Sequence, residues 1–271
     1  MCCIGYYYRK KNLDTDMNKQ FDLSVSNYGT TVDVYYDIAI LPWGATEPHN
    51  LHLPYLTDAI LSHDVAVDAA VKAHELHGIH AMVLPPITLG QQNPGQLELP
   101  FCIHTRYETQ KAILTDIVYS LAYQGITKLL IVNGHGGNSF KSMIRDIYLD
   151  YPQMRIALTD WYKVLPAKDY FDNPGDHADE LETSVMMHYH PELVNLEEAG
   201  PGISGGFAPK TLADGVAWLP RDWYRVSRDT GIGSPALASA EKGAKYVGDV
   251  TRLYADLLHD LTKENLYRAL E

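Results

Sequence analysis

The sequence has few cysteines and no run of basic residues, and both features exclude certain kinds of site and partner. Its three cysteines, Cys2, Cys3 and Cys102, are an odd number without metal-binding spacing. A disulfide framework and a cysteine metal site are therefore not expected, and a reducing compartment such as the cytoplasm fits best. With 22 Lys and Arg against 34 Asp and Glu, the net charge is −12, and no basic stripe is present to bind a nucleic-acid backbone.

Long apolar runs, internal repeats and low-complexity tracts are also missing. No segment approaches the length of a membrane span, and no linker divides the 271 residues, so we expect one large domain. Near the amino terminus, the charges follow a short apolar run, which is the reverse of a secretory signal. We expect residues 1–16 to be a disordered extension and residues 17–271 to form the domain, with Met17 as the natural start.

Alternating strand and helix patterns predict an α/β fold. Short apolar runs rich in β-branched residues predict strands, and amphipathic stretches that end at glycine predict the helices between them. The strands are expected at residues 37–42, 80–88, 128–133 and 154–161, and the helices at 58–77, 107–124, 139–148, 177–189 and 236–269. Residues 191–235 show little regular pattern, and a loop of this length suggests a cover over a site or an arm in an oligomer.

The first informative stretch follows the first predicted strand. A polar loop carries Glu47, His49 and His52, and Asp58 begins the next predicted helix. In open parallel sheets, ligands bind at this edge, and carboxylates with imidazoles suit zinc, manganese or cobalt(II) rather than calcium. One aspartate can bridge two such ions through its two oxygens. A solvated surface loop is the alternative interpretation, and the stretch alone does not exclude it.

The second informative stretch is Gly134-His135-Gly136-Gly137-Asn138, directly after the third predicted strand. Glycines beside a histidine at a strand-to-helix turn allow tight backbone geometry, and they bring the imidazole to the sheet edge where Glu47 and Asp58 are expected. A phosphate-binding loop is the competing interpretation, but the lysine and the spacing of that motif are missing.

With two further stretches, the sequence resembles the creatininase (creatinine amidohydrolase) family over most of residues 35–260. The motifs that carry the resemblance are Gly44-Ala-Thr-Glu47-Pro-His49-Asn-Leu-His52-Leu-Pro54 with Thr57-Asp58, Asn133-Gly-His135-Gly-Gly-Asn138, His177-Ala-x-x-x-Glu182-Thr-Ser184, and Gly231-x-Gly-x-Pro235 with Ala238-x-x-Glu241-Lys-Gly243. Four ordered motifs are more specific than any one of them. The resemblance implies a three-layer α/β/α sandwich with a central, mostly parallel sheet, and a homo-oligomer that is hexameric in the family.

The resemblance also implies a site for two divalent ions per chain, zinc and/or manganese. Glu47, Asp58 and His135 would hold one ion, while His49, the bridging Asp58 and a glutamate would hold the other. In creatininase that glutamate lies two residues after the strand-end histidine. This sequence has Gly137 there, so we assign the role to Glu182.

The implied reaction is hydrolysis of a carbon–nitrogen amide bond by a metal-activated water. The expected catalytic residues are His177, which would protonate the departing nitrogen, and Glu182, while His52 would orient a ligand. Creatininase brackets its substrate ring with two tryptophans. Trp161 and Asn173 stand at the matching positions here, and both are expected to contact the substrate.

Because the second tryptophan is missing, the sequence does not identify the substrate. A cyclic amide, a formamide or a related small molecule is expected, and creatinine itself is an alternative. Trp218 and Trp223 are candidates for aromatic residues that contact the substrate in place of the missing tryptophan. Two rival functions are a metal phosphoesterase, for which the loops show no evident Arg or Lys clamp, and a non-catalytic descendant that binds a small metabolite.

Overall fold

The computed structural model describes residues 20–268, so the predicted extension at residues 1–16 lies outside the described part. Four parallel strands form one sheet in the order β2-β1-β3-β4, with β1 at Ile38–Trp43, β2 at Ala81–Val83, β3 at Lys128–Asn133 and β4 at Arg155–Asp160. The helices are α1 (Tyr28–Thr31), α2 (Thr57–His77), α3 (Tyr107–Tyr123), α4 (Lys141–Asp150), α5 (Glu180–Tyr189), α6 (Lys210–Ala213), α7 (Trp223–Val226) and α8 (Ala240–Thr262).

Helices cover both faces of the sheet, which confirms the predicted α/β sandwich with a parallel sheet. All six residues of β1 are buried, as expected for a central strand that is covered on both sides. Ile38 and Ile40 face a core formed with α2, α5 and α8, while Ala39 and Leu41 face a second core formed with α3 and α4. None of the helices within residues 20–268 is long and apolar enough to cross a membrane.

Local chemistry explains where the elements begin and end. Gly78 ends α2 with a φ of 68°, the left-handed conformation that a helix C-cap needs, as predicted. Strand β2 has three residues instead of the predicted nine, because the following Pro85-Pro86 cannot donate backbone hydrogen bonds. Helix α5 begins at Glu180 rather than at residue 177, because Asp179 caps it by accepting a hydrogen bond from the Glu182 N–H.

His63, a partly buried histidine on α2, binds the segment that precedes the sheet. His63 Nε2 lies 3.1 Å from Asp22 Oδ1, and its Nδ1 lies 3.6 Å from Asp64 Oδ1. Burial opposes the charged ring, but the two carboxylates outweigh it and raise the pKa of His63 to about 9. A raised folded-state pKa means that the interaction stabilises fully below the unfolded pKa of about 6.5 and is lost as the pH rises through about 9.

We expect this interaction to make stability depend on pH. Between pH 6.5 and 9, the free energy of unfolding should fall by about 3 kcal/mol more in the natural sequence than in a His63→Gln variant. Urea unfolding of both proteins across that range, with the same metal supplied, measures the difference. Parallel pH curves for the two proteins would contradict the assignment.

Candidate metal centre

The site lies where β1 and β3 end and α2 begins. The two strands pair in parallel, so the segments that follow them leave the sheet side by side. A Cβ atom on Gly44 would lie 2.3 Å from the Ala59 nitrogen, and one on Gly134 would lie 2.4 Å from the Asp58 carbonyl oxygen. Only glycine fits at such distances. The close approach brings Asp58, in the first turn of α2, to the strand ends.

Glu47, Asp58 and His135 form the first cluster. His135 Nδ1 lies 2.8 Å from Glu47 Oε1 and 3.1 Å from Asp58 Oδ2. The other ring nitrogen, Nε2, lies 2.6 Å from the Gln91 carbonyl oxygen, which can only accept a hydrogen bond, so Nε2 carries a hydrogen. In a neutral ring, Nδ1 therefore presents a lone pair to two carboxylates. That arrangement is repulsive unless a cation or a second ring proton lies between them.

His49, Asp58 and Glu182 form the second cluster. His49 Nε2 lies 2.9 Å from Asp58 Oδ1, while its Nδ1–H donates to the Glu47 carbonyl oxygen at 3.0 Å. Glu182 Oε2 accepts a hydrogen bond from the Ala178 N–H at 2.6 Å. Within each cluster, the potential ligand atoms lie within 4.8 Å of one another. Asp58 belongs to both clusters, and its two oxygens face different histidines.

These side chains fit a pair of divalent ions. All five are buried, and Asp58 Oδ2 has no hydrogen-bond partner among the described residues, although His135 Nδ1 lies 3.1 Å from it as an ion-pair contact. A buried carboxylate oxygen without a partner is unfavourable, and a bound cation would satisfy it. Three carboxylates with two imidazoles are a donor set that zinc and manganese accept.

The raised pKa values of His49, His135 and Glu182 indicate the same need for positive charge. Burial disfavours charged histidines, yet Asp58 outweighs it and raises the pKa of His49 to about 10, and Glu47 with Asp58 holds the pKa of His135 well above its usual value. Burial raises the pKa of Glu182 to about 8. Without metal, protons therefore supply the positive charge, and metal binding would release them.

His177 closes the site from the segment before α5. Its Nε2–H donates to the Pro48 carbonyl oxygen at 2.8 Å, and its Nδ1 lies 3.8 Å from Glu47 Oε1. The ring lies 4.2 Å from that of His49 and meets Trp223 edge to face at 5.4 Å. Burial and the neighbouring His49 lower the pKa of His177. The neutral ring thus keeps one open nitrogen toward the site, which can accept and return a proton.

Gly137 leaves no room for an acidic side chain. A Cβ atom there would lie 2.0 Å from the Gln91 carbonyl oxygen and 2.6 Å from His135 Nε2. The glutamate that the family resemblance places at this position could not be accommodated in this backbone. Glu182, within reach of His49 and Asp58, is the glutamate that the structure brings to the second cluster.

The other predicted residues lie farther from the two clusters. His52 Nε2 forms a hydrogen bond of 2.8 Å with Thr183 Oγ1. Thr183 directly follows Glu182 in the sequence. Burial and then His49 lower the pKa of His52 to about 4. Trp161 is 1 % exposed and packs against Tyr246 in the core, and Asn173 is exposed.

A cavity of about 450 Å³ opens above the two clusters. Its aromatic residues are Tyr162, Trp218 and Trp223, and neither Trp161 nor Asn173 lines it. Four residues with amide side chains also line it, namely Gln91, Gln92, Asn93 and Gln96. The sequence did not indicate two cations that also line the cavity, Lys163 and Arg221.

Sequence reasoning missed Gln96 as well. This residue is 1 % exposed, and its Nε2 donates to Glu47 Oε2 at 2.6 Å. The loop after β2 contains several turn-forming and amide residues. Nothing in the sequence marks which of them reaches a ligand.

A family model described as "Creatininase: Creatinine amidohydrolase" matches residues 28–258. The chain is 26% identical to creatinine amidohydrolase of Pseudomonas putida, over 82% of this chain and 88% of that protein. It is 25% identical to 3-dehydro-scyllo-inosose hydrolase of Thermotoga maritima, over 83% and 78% of the two chains. It is 30% identical to the mycofactocin precursor peptide peptidase of Mycobacterium ulcerans, over 82% and 81%.

Solved structures share the fold. A crystal structure of a Bacteroides fragilis protein that is provisionally called a creatinine amidohydrolase is 56% identical, with a TM-score of 0.91 over 92% of this chain and 99% of that chain. Creatininase structures described as a Zn–Zn mutant form and as an Mn form are each 23% identical, cover 82% of this chain and 89% of theirs, and have TM-scores of 0.67 and 0.66.

Proposed function

The chain belongs to the creatininase family, and from this we propose that it is a metal-dependent amidohydrolase that uses two divalent ions, zinc and/or manganese, to hydrolyse a carbon–nitrogen amide bond. The observation that carries the proposal is Asp58, a buried carboxylate whose Oδ1 faces His49 and whose Oδ2 faces His135. The metal ligands are Glu47, Asp58 and His135 for one ion, and His49, Asp58 and Glu182 for the other.

The cavity supports a small substrate. Its volume of about 450 Å³ and its polar wall suit a cyclic amide, a formamide or a related molecule. Creatinine stays an alternative, since the cavity offers Tyr162, Trp218 and Trp223 as aromatic contacts. Substrate contacts of Trp161 and Asn173, a cytoplasmic location and a hexameric assembly stay predictions.

In the proposed reaction, water is activated by the bound cations and His177 transfers the proton. When bound, two divalent cations lower the pKa of water and polarise a carbonyl oxygen. His177 is neutral at the start, so its Nδ1 can take a proton from the water that attacks the amide carbon. The same imidazole can then give the proton to the leaving nitrogen as the carbon–nitrogen bond breaks. The products are a carboxylate and an amine.

A metal phosphoesterase is the rival enzyme. The cavity does contain Lys163 and Arg221, which the sequence had not indicated as a clamp. Arg221, however, pairs with Asp176 Oδ2 at 2.7 Å and lies over the Trp223 ring, so its charge is already engaged. Lys163 is 61 % exposed at the rim. The amidohydrolase proposal therefore remains the better supported one.

Metal content and a hydrolysis screen together test the proposal. The protein is prepared with zinc or manganese and analysed by mass spectrometry for bound metal. It is then assayed on creatinine, cyclic ureas, formamides, short peptides and phosphate esters. We expect two ions per chain and turnover of a carbon–nitrogen substrate. Turnover of phosphate esters alone would support the phosphoesterase, and absence of bound metal would support a binding protein.

A further inference from the structure

One loop contacts both ligands that belong only to the first cluster. In residues 90–96, the Gln91 carbonyl oxygen accepts from His135 Nε2–H at 2.6 Å, and Gln96 Nε2 donates to Glu47 Oε2, also at 2.6 Å. Within the described residues, the hydrogen-bond partners of His49 and Glu182 lie on other segments. The loop therefore acts on one side of the centre.

The orientation of the Gln96 amide is fixed. Its Oε1 accepts a hydrogen bond from the Asn93 N–H at 2.6 Å, so its NH₂ group must face Glu47. The side chain is 1 % exposed. With Oε2 of Glu47 engaged, Oε1 is the oxygen that is turned toward His135 Nδ1, 2.8 Å away.

The loop is itself held at both ends. The Thr105 N–H donates to the Gly90 carbonyl oxygen at 2.8 Å, and the Trp223 N–H donates to the Pro94 carbonyl oxygen at 2.8 Å. Gly95 adopts a φ of 84°, a left-handed conformation, which turns the chain so that Gln96 points inward. Gln96 is therefore presented to Glu47 by a loop that is fixed on two sides.

We propose that Gln96 is a positioning residue, which holds the Glu47 carboxylate in the orientation that one ion requires. It sets the affinity of the ion at Glu47, Asp58 and His135, and it leaves the ion at His49, Asp58 and Glu182 unaffected. The inference rests on the proposed two-ion function. Groups that orient metal ligands typically change metal affinity by about 10- to 100-fold when they are removed.

A zinc titration of metal-free protein against a competing chelator tests the inference. Gln96→Met keeps the length of the side chain but removes both the donor to Glu47 and the acceptor of the Asn93 N–H. We expect one of the two ions to bind about 10- to 100-fold more weakly and the other to change less than about threefold. Gln92→Met is the matched control, because this amide lies in the same loop and donates to the Ile103 carbonyl oxygen instead of to a ligand. It should leave both zinc affinities unchanged.

A double-mutant cycle separates positioning from a general effect on folding. If Gln96 acts through Glu47, then Gln96→Met has no further effect on zinc affinity in a Glu47→Gln background, but it keeps its full effect in a Glu182→Gln background. The visible spectrum of bound Co²⁺ should also change in Gln96→Met. Melting temperatures of the metal-free proteins confirm folding, and Gln96→Ser, which cannot overpack the site, replaces Gln96→Met where the latter does not fold.

The outcomes are distinguishable. A natural sequence that binds fewer than two zinc ions would overturn the proposed function itself. Two ions in the natural sequence, with Gln96→Met either unchanged at both or equally weakened at both, would overturn the positioning role alone. Selective weakening of one ion, abolished by Glu47→Gln, is the expected result.

Discussion

Replacement of Asp58 by asparagine is expected to remove both metal ions together and to lower kcat/KM about a thousandfold or more. Asp58 is the residue that the two clusters share, with Oδ1 at 2.9 Å from His49 and Oδ2 at 3.1 Å from His135. Asparagine keeps one oxygen and turns an NH₂ group toward the other ion. The loss of several kcal/mol of transition-state stabilisation from a metal centre corresponds to such a decrease.

Metal analysis and kinetics of Asp58→Asn are measured on the same sample. Asp64→Asn is the control, because Asp64 lies in the same helix and bonds to His190 outside the centre. It should retain two ions and full turnover. Loss of only one ion in Asp58→Asn would restrict Asp58 to that ion. Retention of both ions with unchanged turnover would reject the shared-ligand assignment.

Replacement of His177 by alanine is expected to keep both ions and to lower kcat about 10²- to 10⁴-fold, the range for loss of a general acid or base. Its Nδ1 faces the centre while its Nε2–H is bonded to Pro48. Since burial lowers the pKa of His177, its protonation should limit kcat/KM only at pH values below the ordinary histidine pKa of about 6.5. That acidic limb should disappear in the variant.

The competing role for His177 is that of a ligand. Glu47, His49 and His177 also lie close enough to hold an ion. Metal analysis of His177→Ala separates the roles, since a ligand's removal would cost an ion and a proton carrier's removal would not. His190→Ala is the control for loss of an imidazole, because this partly buried histidine bonds to Asp64 outside the centre. A rate equal to that of the natural sequence would require another acid for the leaving nitrogen.

The fold could be predicted from the sequence wherever one local pattern decides it. Strand β3 has the predicted bounds, because an unbroken apolar run followed by glycine allows few alternatives. The end of α2 is similarly fixed by Gly78. The predicted strand at 80–88 was too long, because its apolar composition suits a strand even where Pro85-Pro86 cannot extend the ladder.

Local patterns predicted the ligands around the strand ends, and the family resemblance added Glu182 and His177. Glu47, Asp58 and His135 follow from their positions at the carboxyl edge of a parallel sheet. Gln96 could not be recognised, because its contact with Glu47 depends on the fold of a loop rather than on a spacing. Arg221 was missed for the same reason, since the long segment before α8 is placed over the cavity only by tertiary contacts.

The absence of a side chain at position 137 has a consequence for the order of assembly. In the proposed centre, the last ligand comes from Glu182 on α5, about 50 residues beyond His135 along the chain. A nascent polypeptide that ends before α5 lacks the glutamate of the second proposed ligand set. In the proposed centre, the second ligand set is therefore complete only after this helix has docked, late in the folding of the chain.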